Sequence, residues 1–458
     1  MLTLALPVIA GNISRVLMNM MDVAMVGRLG AEALAAVGMG GVLIWSVMSF
    51  SVAIRTGVQT VTARRYGEKK FDQCGKVLNS GILFALLAGG LFTIAGYTAA
   101  PVLIKFLIKD PVVIPMAIEY TRWSFLGAVF ITLGYAYQGF YNGVERTKVH
   151  MQVSVVSNIL NVYLNAGFIF GSGRLKTMLT ESALGDLSLF YNLWEPFYFP
   201  AWGVKGAAIA TLIASGWMVV HYSLYGLFRE FRGKYHAFQR GTPKNIINKV
   251  IKIALPQGLQ EMGVTAVFIL YFKIVAMIGT VEVAATEVAF AIMQSSFLPA
   301  IGFGLACATL VGKYLGEKNP DRAEVCIIES VRWSVIFMGS MGILFLFLPR
   351  YILPLFTNEP EVIKQGIVAL RILGVVQFID AFGLTLWFAL SGAGNTKYPA
   401  VVEMIIAWGF FLPASFIMVT RFDSGLTGPW LCFALYILIY AAAMVWKILK
   451  GDWKKIKV

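Results

Sequence analysis

The sequence predicts an all-α integral membrane protein: twelve transmembrane helices in two related six-helix bundles. Three observations carry this expectation. The chain is 58% hydrophobic and 14% charged over 458 residues, with a mean hydropathy of +0.74. That is too apolar for a soluble fold of this length. Apolar runs long enough to cross a bilayer recur along the chain, and short phrases return 249 residues apart.

Lipid offers exposed backbone groups no partner, so a crossing is a helix of ~20 mostly apolar residues. Such runs fall at about 3–27, 33–61, 77–108, 113–142, 148–171, 203–228, 246–279, 284–312, 327–357, 362–392, 396–421 and 425–447. The first has no basic leader region and no cleavage site before Val26, so it reads as a span rather than a signal peptide.

The repeat gives the organisation. Ala5-Leu6-Pro7 returns as Ala254-Leu255-Pro256, and Gly67-Glu68-Lys69 with Asp72 returns as Gly316-Glu317-Lys318 with Asp321. Arg122 recurs as Arg371, Gly143 as Gly392, and Thr147-Lys148 as Thr396-Lys397. Six spans per copy is an even number, so both halves enter the membrane in the same direction, as a parallel repeat. The predicted lobes are residues 1–228 and 246–458, joined by a basic linker at 229–245. Near the end of each copy, Gly203-Val204-Lys205-Gly206 matches Gly425-Leu426-Thr427-Gly428 at a spacing of only 222. The first half therefore carries an insertion, about 172–202. It holds Phe190, Tyr191, Trp194, Phe197, Tyr198, Phe199 and Trp202 and reads as an interfacial segment at headgroup level, with an outer gate as the alternative.

Lys and Arg fix the orientation. With the N-terminus inside, inner loops and tail (Arg240 and Lys457 included) carry 23 of them and the outer side nine, so both termini are expected in the cytoplasm. The net charge of +14 then points to anionic headgroups of a lipid bilayer and not to nucleic acid. Cys74, Cys307, Cys326 and Cys432 are far apart, as are His150, His221 and His236, which gives no metal-ligand spacing and no Ser/His/Asp constellation. Cys74 reads as a cytoplasmic-side thiol and the other three as apolar fillers. No nucleophile stands beside a base, so the chain does not read as an enzyme.

Charges within spans are the functional candidates, because a carboxylate at membrane depth costs a few kcal/mol and normally faces a cavity or a partner. Asp22 stands in the run Asn19-Met20-Met21-Asp22, with Arg15 two turns earlier on nearly the same face. It is either an ion pair with an arginine or a site for a proton or Na⁺. The fifth span offers Asn158, Asn161 and Asn165, the last two on one face, and the sixth offers Thr211. The second half places Glu261, Lys273, Glu287, Asp380 and Glu403 in spans; Asp380 has no basic residue within one turn. Asn19, Asn158, Gln59 and Arg15 are the further cavity candidates. Pro7, Pro256, Pro299 and Pro413 mark expected kinks.

These residues, in order and over essentially the whole chain, resemble the multidrug and toxic compound extrusion (MATE) family, in the multidrug/oligosaccharidyl-lipid/polysaccharide (MOP) superfamily, on its NorM-like and DinF-like prokaryotic branches. The matching stretches are Pro7 with Asp22, Thr56-Gly57-Val58-Gln59, Ala63-Arg64-Arg65-Tyr66-Gly67, Asn161 to Gly171, and Gly206 to Thr211. The second half adds Gly302 to Gly316, Gln377-Phe378-Ile379-Asp380 and Ser391 to Lys397. The resemblance implies two lobes around a V-shaped central cavity. It also implies a first-lobe cation site on Asp22, Asn161, Asn165 and Thr211. In one branch the fifth-span motif ends in aspartate, where this chain has Asn165. The tenth-span aspartate matches Asp380. A seventh-span glutamate would fall at Val264, which leaves Glu261 or Glu287, the latter at a usual glutamine position, as replacements.

The activity implied is export of lipophilic, often cationic drugs by a monomer in the cytoplasmic membrane, driven by H⁺ or Na⁺ without a cofactor. A cation arriving from outside neutralises Asp22, the first helix bends or repacks, and the drug leaves a Met-rich cavity (Met18, Met20, Met21, Met25). The alternative from the same superfamily is a flippase for lipid-linked saccharides, for which Arg15, Arg55, Arg122 and Arg371 offer a basic cavity.

Overall fold

The computed structural model describes residues 1–180, 192–238, 241, 243–456 and 458. Phe190, Tyr191, Arg240 and Lys457 lie outside the described residues. Six crossings make the first bundle. They are α1 (Leu2–Gly27), α2 (Ala31–Gly67), α3 (Phe71–Leu107), the pair α4 (Val113–Leu126) and α5 (Ala128–Gly143), α6 (Thr147–Thr180) and α7 (Gly203–Leu227). A short helix, α8 (Arg229–Tyr235), lies in the linker. The second bundle is α9 (Lys244–Ala276), α10 (Thr280–Gly316), α11 (Pro320–Phe347), α12 (Pro360–Ala393), the pair α13 (Lys397–Ile406) and α14 (Leu412–Thr420), and α15 (Thr427–Leu449). Among the described residues eleven stretches are long and apolar enough to cross a membrane on their own. The fourth crossing is the exception, because its helix is interrupted at Gly127.

Breaks differ from the prolines that suggested them. Pro299 sits inside an uninterrupted α10. Pro413 opens α14 directly after a π-helical turn, Ala407–Phe411, where the extra residue per turn shifts the helix face. The ninth crossing begins and ends earlier than expected. Asn319 Oδ1 accepts from the Arg322 N–H 3.1 Å away as a helix cap, and Pro349 starts a separate turn. Cys74, read as a cytoplasmic-side thiol, is fully buried within the first-bundle core.

The two bundles meet at one end through repeat mates. A Cβ on Gly67 would lie 2.0 Å from the Lys313 carbonyl oxygen, and one on Gly316 would lie 2.3 Å from that of Arg64. These four residues are two pairs related by the 249-residue repeat, so the ends of α2 and α10 cross about the pseudo-twofold axis with backbone against backbone. The same symmetry holds one level deeper. A Cβ on Gly57 would stand 3.2 Å from Ala254 Cβ, and their mates Ala306 and Ala5 share a buried cluster. Polar ties close this end. Thr60 Oγ1 donates to the Ser391 carbonyl at 2.9 Å, and Arg64 Nη2 donates to those of Ala393 at 3.3 Å and Ile456 at 3.1 Å.

Candidate functional site

In the first bundle the polar residues of α1, α6 and α7 form one chain. Asn165 Nδ2 donates to Asp22 Oδ1 at 2.5 Å and to Asn161 Oδ1 at 3.0 Å. Asn161 Nδ2 donates to Thr211 Oγ1 at 3.2 Å, which donates to the Ala207 carbonyl at 3.0 Å. Asn161 and Asn165 face together because they stand four residues apart on α6. Both are buried, whereas Asp22 is partly accessible. Asn165 Oδ1 is buried with no hydrogen-bond partner. No arginine pairs with Asp22 among the described residues; Arg15 instead lies within electrostatic reach of Arg55 and His150. The site is thus a carboxylate with an amide–amide–hydroxyl relay behind it, a donor set of uncharged oxygens suited to a proton or a hard monovalent cation.

Aromatic residues from the insertion cover the same part of α6. Trp194 stacks on Tyr163 with ring centroids 5.1 Å apart, and its Nε1 donates to the Tyr163 carbonyl at 2.9 Å. Phe199 is buried beside them, while Phe197 and Tyr198 are exposed. Beyond this patch the helix direction changes at Gly171, whose φ of 74° is left-handed and where a Cβ would meet Ala201.

In the second bundle Glu403, one of the acids that the sequence places within a span, is the hub. Glu403 Oε1 accepts from the Tyr436 hydroxyl at 2.7 Å, and its Oε2 accepts from Gln260 Nε2. Glu261 and Asp380 both lie within electrostatic reach of Glu403, and Arg55 of the first bundle lies within reach of Glu261. Three acids from α9, α12 and α13 therefore share one region. The available signal was that no Lys or Arg occurs between Tyr398 and Thr420 to neutralise Glu403. The π-helical turn begins four residues after it.

The remaining candidates stand elsewhere. Gln59, expected to line the cavity, is buried in the closed end. There its Nε2 donates to the Leu305 carbonyl at 2.9 Å and to Thr309 Oγ1 at 2.8 Å. Asn158 Nδ2 donates to Ser14 Oγ at 2.9 Å and so ties α6 to α1. Asn19 is exposed on α1, and Glu287 is exposed on α10, apart from the acidic trio.

A family model, MatE, matches residues 7–166 and 256–417, two stretches that begin at the repeat mates Pro7 and Pro256. The chain belongs to the MatE family. It is a membrane transporter, not an enzyme. Among relatives of this MatE protein, the "Probable multidrug resistance protein NorM" of Thermotoga maritima is 24% identical over 460 residues, covering 99% of this chain and 93% of the relative. The protein of the same description from Neisseria meningitidis serogroup A is 25% identical over 452 residues, covering 97% and 92%. In fold, a structure described as the outward-facing conformation of a multidrug resistance MATE family transporter of the MOP superfamily superimposes with a TM-score of 0.86. It is 22% identical and covers 100% of this chain and 96% of its own. A eukaryotic MATE transporter, AtDTX14, superimposes at 0.84 with 18% identity, covering 99% and 96%.

Proposed function

We propose that this MatE protein is a multidrug exporter that couples outward movement of lipophilic, cationic drugs to inward movement of H⁺ or Na⁺ through Asp22. It acts as a monomer in the cytoplasmic membrane with both termini inside, and its lobes, residues 1–228 and 246–458, rock about the glycine crossing. The positive-inside bias supports a cytoplasmic position for that crossing, so the end at which the bundles are joined is read as the inner one.

The observation that carries this reading is the hydrogen bond from Asn165 to Asp22 without a basic partner. An ionised Asp22 accepts from the amide N–H. Once Asp22 is neutralised by a proton or Na⁺, that N–H faces a group with no full charge, and the favourable orientation reverses. The Asn165 amide then turns to present its partnerless Oδ1 to the acid proton or the cation, giving up its donation to Asn161. With Na⁺, the ligands are Asp22, Asn161 Oδ1, Asn165 Oδ1 and Thr211 Oγ1. The cation thereby repacks α1 against α6, and its effect equals its differential affinity for the two states. Glu261, Asp380 and Glu403 supply negative charge for a drug cation or a second coupling ion.

The test is reconstituted efflux from vesicles under a Na⁺ gradient and then under a pH gradient. Drug movement is expected with one or both, and drug movement indifferent to both gradients overturns the coupling.

A further inference from the structure

At the end of the first bundle opposite the glycine crossing, a cavity of about 410 Å³ opens between the starts of α2 and α7 and the outer part of α4. Its polar lining consists of Glu32, Glu119 and Lys205, and its walls include Val112, Met116 and Trp202. Gly203, with a φ of 54°, sets the turn that places Trp202 and Lys205 on the rim. Two carboxylates against one ammonium leave the lining with an excess negative charge. Glu32 takes part in no ion pair or side-chain hydrogen bond among the described residues.

The cage already holds one cation of a recognisable kind. Lys205 Nζ is 3.1 Å from Glu119 Oε1 and stands 5.5 Å from the Trp123 ring centroid and 5.9 Å from that of Trp202. A carboxylate with two indole faces is the chemistry that recognises organic ammonium groups. Lys205 is a flexible, half-exposed occupant, so its hold on the cage is weak. Beneath the cavity, Val26, Ala33, Val204 and Ala207 form an apolar layer. Thr211 follows six residues below Lys205 on α7, roughly 9 Å along the helix.

We propose that this cavity is a peripheral binding site for organic ammonium ions at the mouth of the first bundle. The head group sits between Glu32 and Glu119 over Trp202 and competes with the Lys205 side chain. Its apolar part lies on Val112 and Met116. The site does not depend on Asp22 and stands whichever ion drives transport.

The test uses the full chain in nanodiscs with tetramethylammonium as probe, titrated by saturation-transfer NMR. Lys205→Met is expected to tighten binding roughly tenfold by removing the internal competitor. Glu32→Gln with Glu119→Gln is expected to weaken it by about tenfold or more. Glu32→Gln alone, at an exposed position that does not endanger folding, gives the same change in smaller measure. The part of the binding that responds to Lys205 and Glu32 persists in Asp22→Asn with Asp380→Asn, which separates this cavity from the central one. Binding that ignores Glu32 and Glu119, that disappears with Asp22 and Asp380, or that is absent in Lys205→Met overturns the proposal.

Discussion

Lys313 of the second bundle sets its ammonium 2.9 Å from Glu145 Oε1 and 3.0 Å from Oε2 of the first, with the Tyr66 ring 5.7 Å away. It is an ion pair between bundles at their closed end, half shielded from water. Losing one partner of a charge-assisted bond of this kind costs about 1–2 kcal/mol. Lys313→Met or Glu145→Gln is therefore expected to raise the population open at this end by roughly tenfold. The readout is the alkylation rate of Thr60→Cys, whose wild-type hydroxyl is tied to Ser391. An unaltered rate in a folded variant would remove the pair from the conformational equilibrium.

Asp22→Asn is expected to abolish gradient-driven efflux while the protein remains monodisperse and drug still binds. The amide keeps the shape of the acid, and its oxygen can still accept from Asn165, but it cannot change charge. Asn165→Leu removes the group that senses the change in the proposed coupling, and it is expected to lower transport by tenfold or more, on the order of 1.5 kcal/mol. Normal transport by Asp22→Asn sinks the coupling mechanism.

Glu403→Gln is expected to weaken binding of cationic drugs about tenfold or more, because two donors, Gln260 and Tyr436, would converge on an amide in place of an anion. Tyr436→Phe, which leaves the charge in place, is expected to cost only about threefold. Equal effects of the two on a neutral drug would mean that Glu403 merely holds α9, α13 and α15 together.

Gly67→Ala and Gly316→Ala place a methyl group on a backbone carbonyl with no side chain able to yield. Overpacking of this sort costs about 1–3 kcal/mol. Each variant is expected to unseat the closed end, lower the Tm and speed labelling at position 60. A thermally unchanged Gly67→Ala protein would show that the crossing has slack.

Glu68 lies in the turn after α2. Burial alone would raise its carboxyl, but hydrogen bonds from Lys70 and Arg65 hold it below the ordinary range. A depressed carboxyl contributes stability above its unfolded value, and this is lost as pH falls through the lowered folded value. Melting curves of wild type and Glu68→Gln are thus expected to differ near neutrality and to converge in acid. A constant difference across pH would contradict this.

The fold was legible because lipid makes helices obligatory and because the repeat copies its own contacts. Pro7 with Pro256 and Gly67 with Gly316 could be paired by spacing alone, and the structure brings Gly67 and Gly316 together. Interruptions were less legible. Gly127 is one glycine among many in apolar runs, and the π-helical turn before Pro413 depends on packing that spacing does not encode. At the candidate site, Asp22, Asn161 and Asn165 could be grouped because two of them share a helix face and the third is an isolated acid. Glu403 could be placed within a span but not read as the hub, because its partners Gln260 and Tyr436 are neutral residues 143 and 33 positions away. Gln59 was misplaced because its neighbours lie in the other bundle, which no local pattern shows.

The repeat mates of two candidate residues carry different chemistry. Asp22 corresponds to buried Tyr271, and Asn12, the counterpart of Glu261, donates to the Leu298 carbonyl at 3.3 Å. Yet where Gly67 and Gly316 cross, the copies still match backbone for backbone. With carbonyls that close on either side, a side chain at one glycine would press on the very backbone that carries the other.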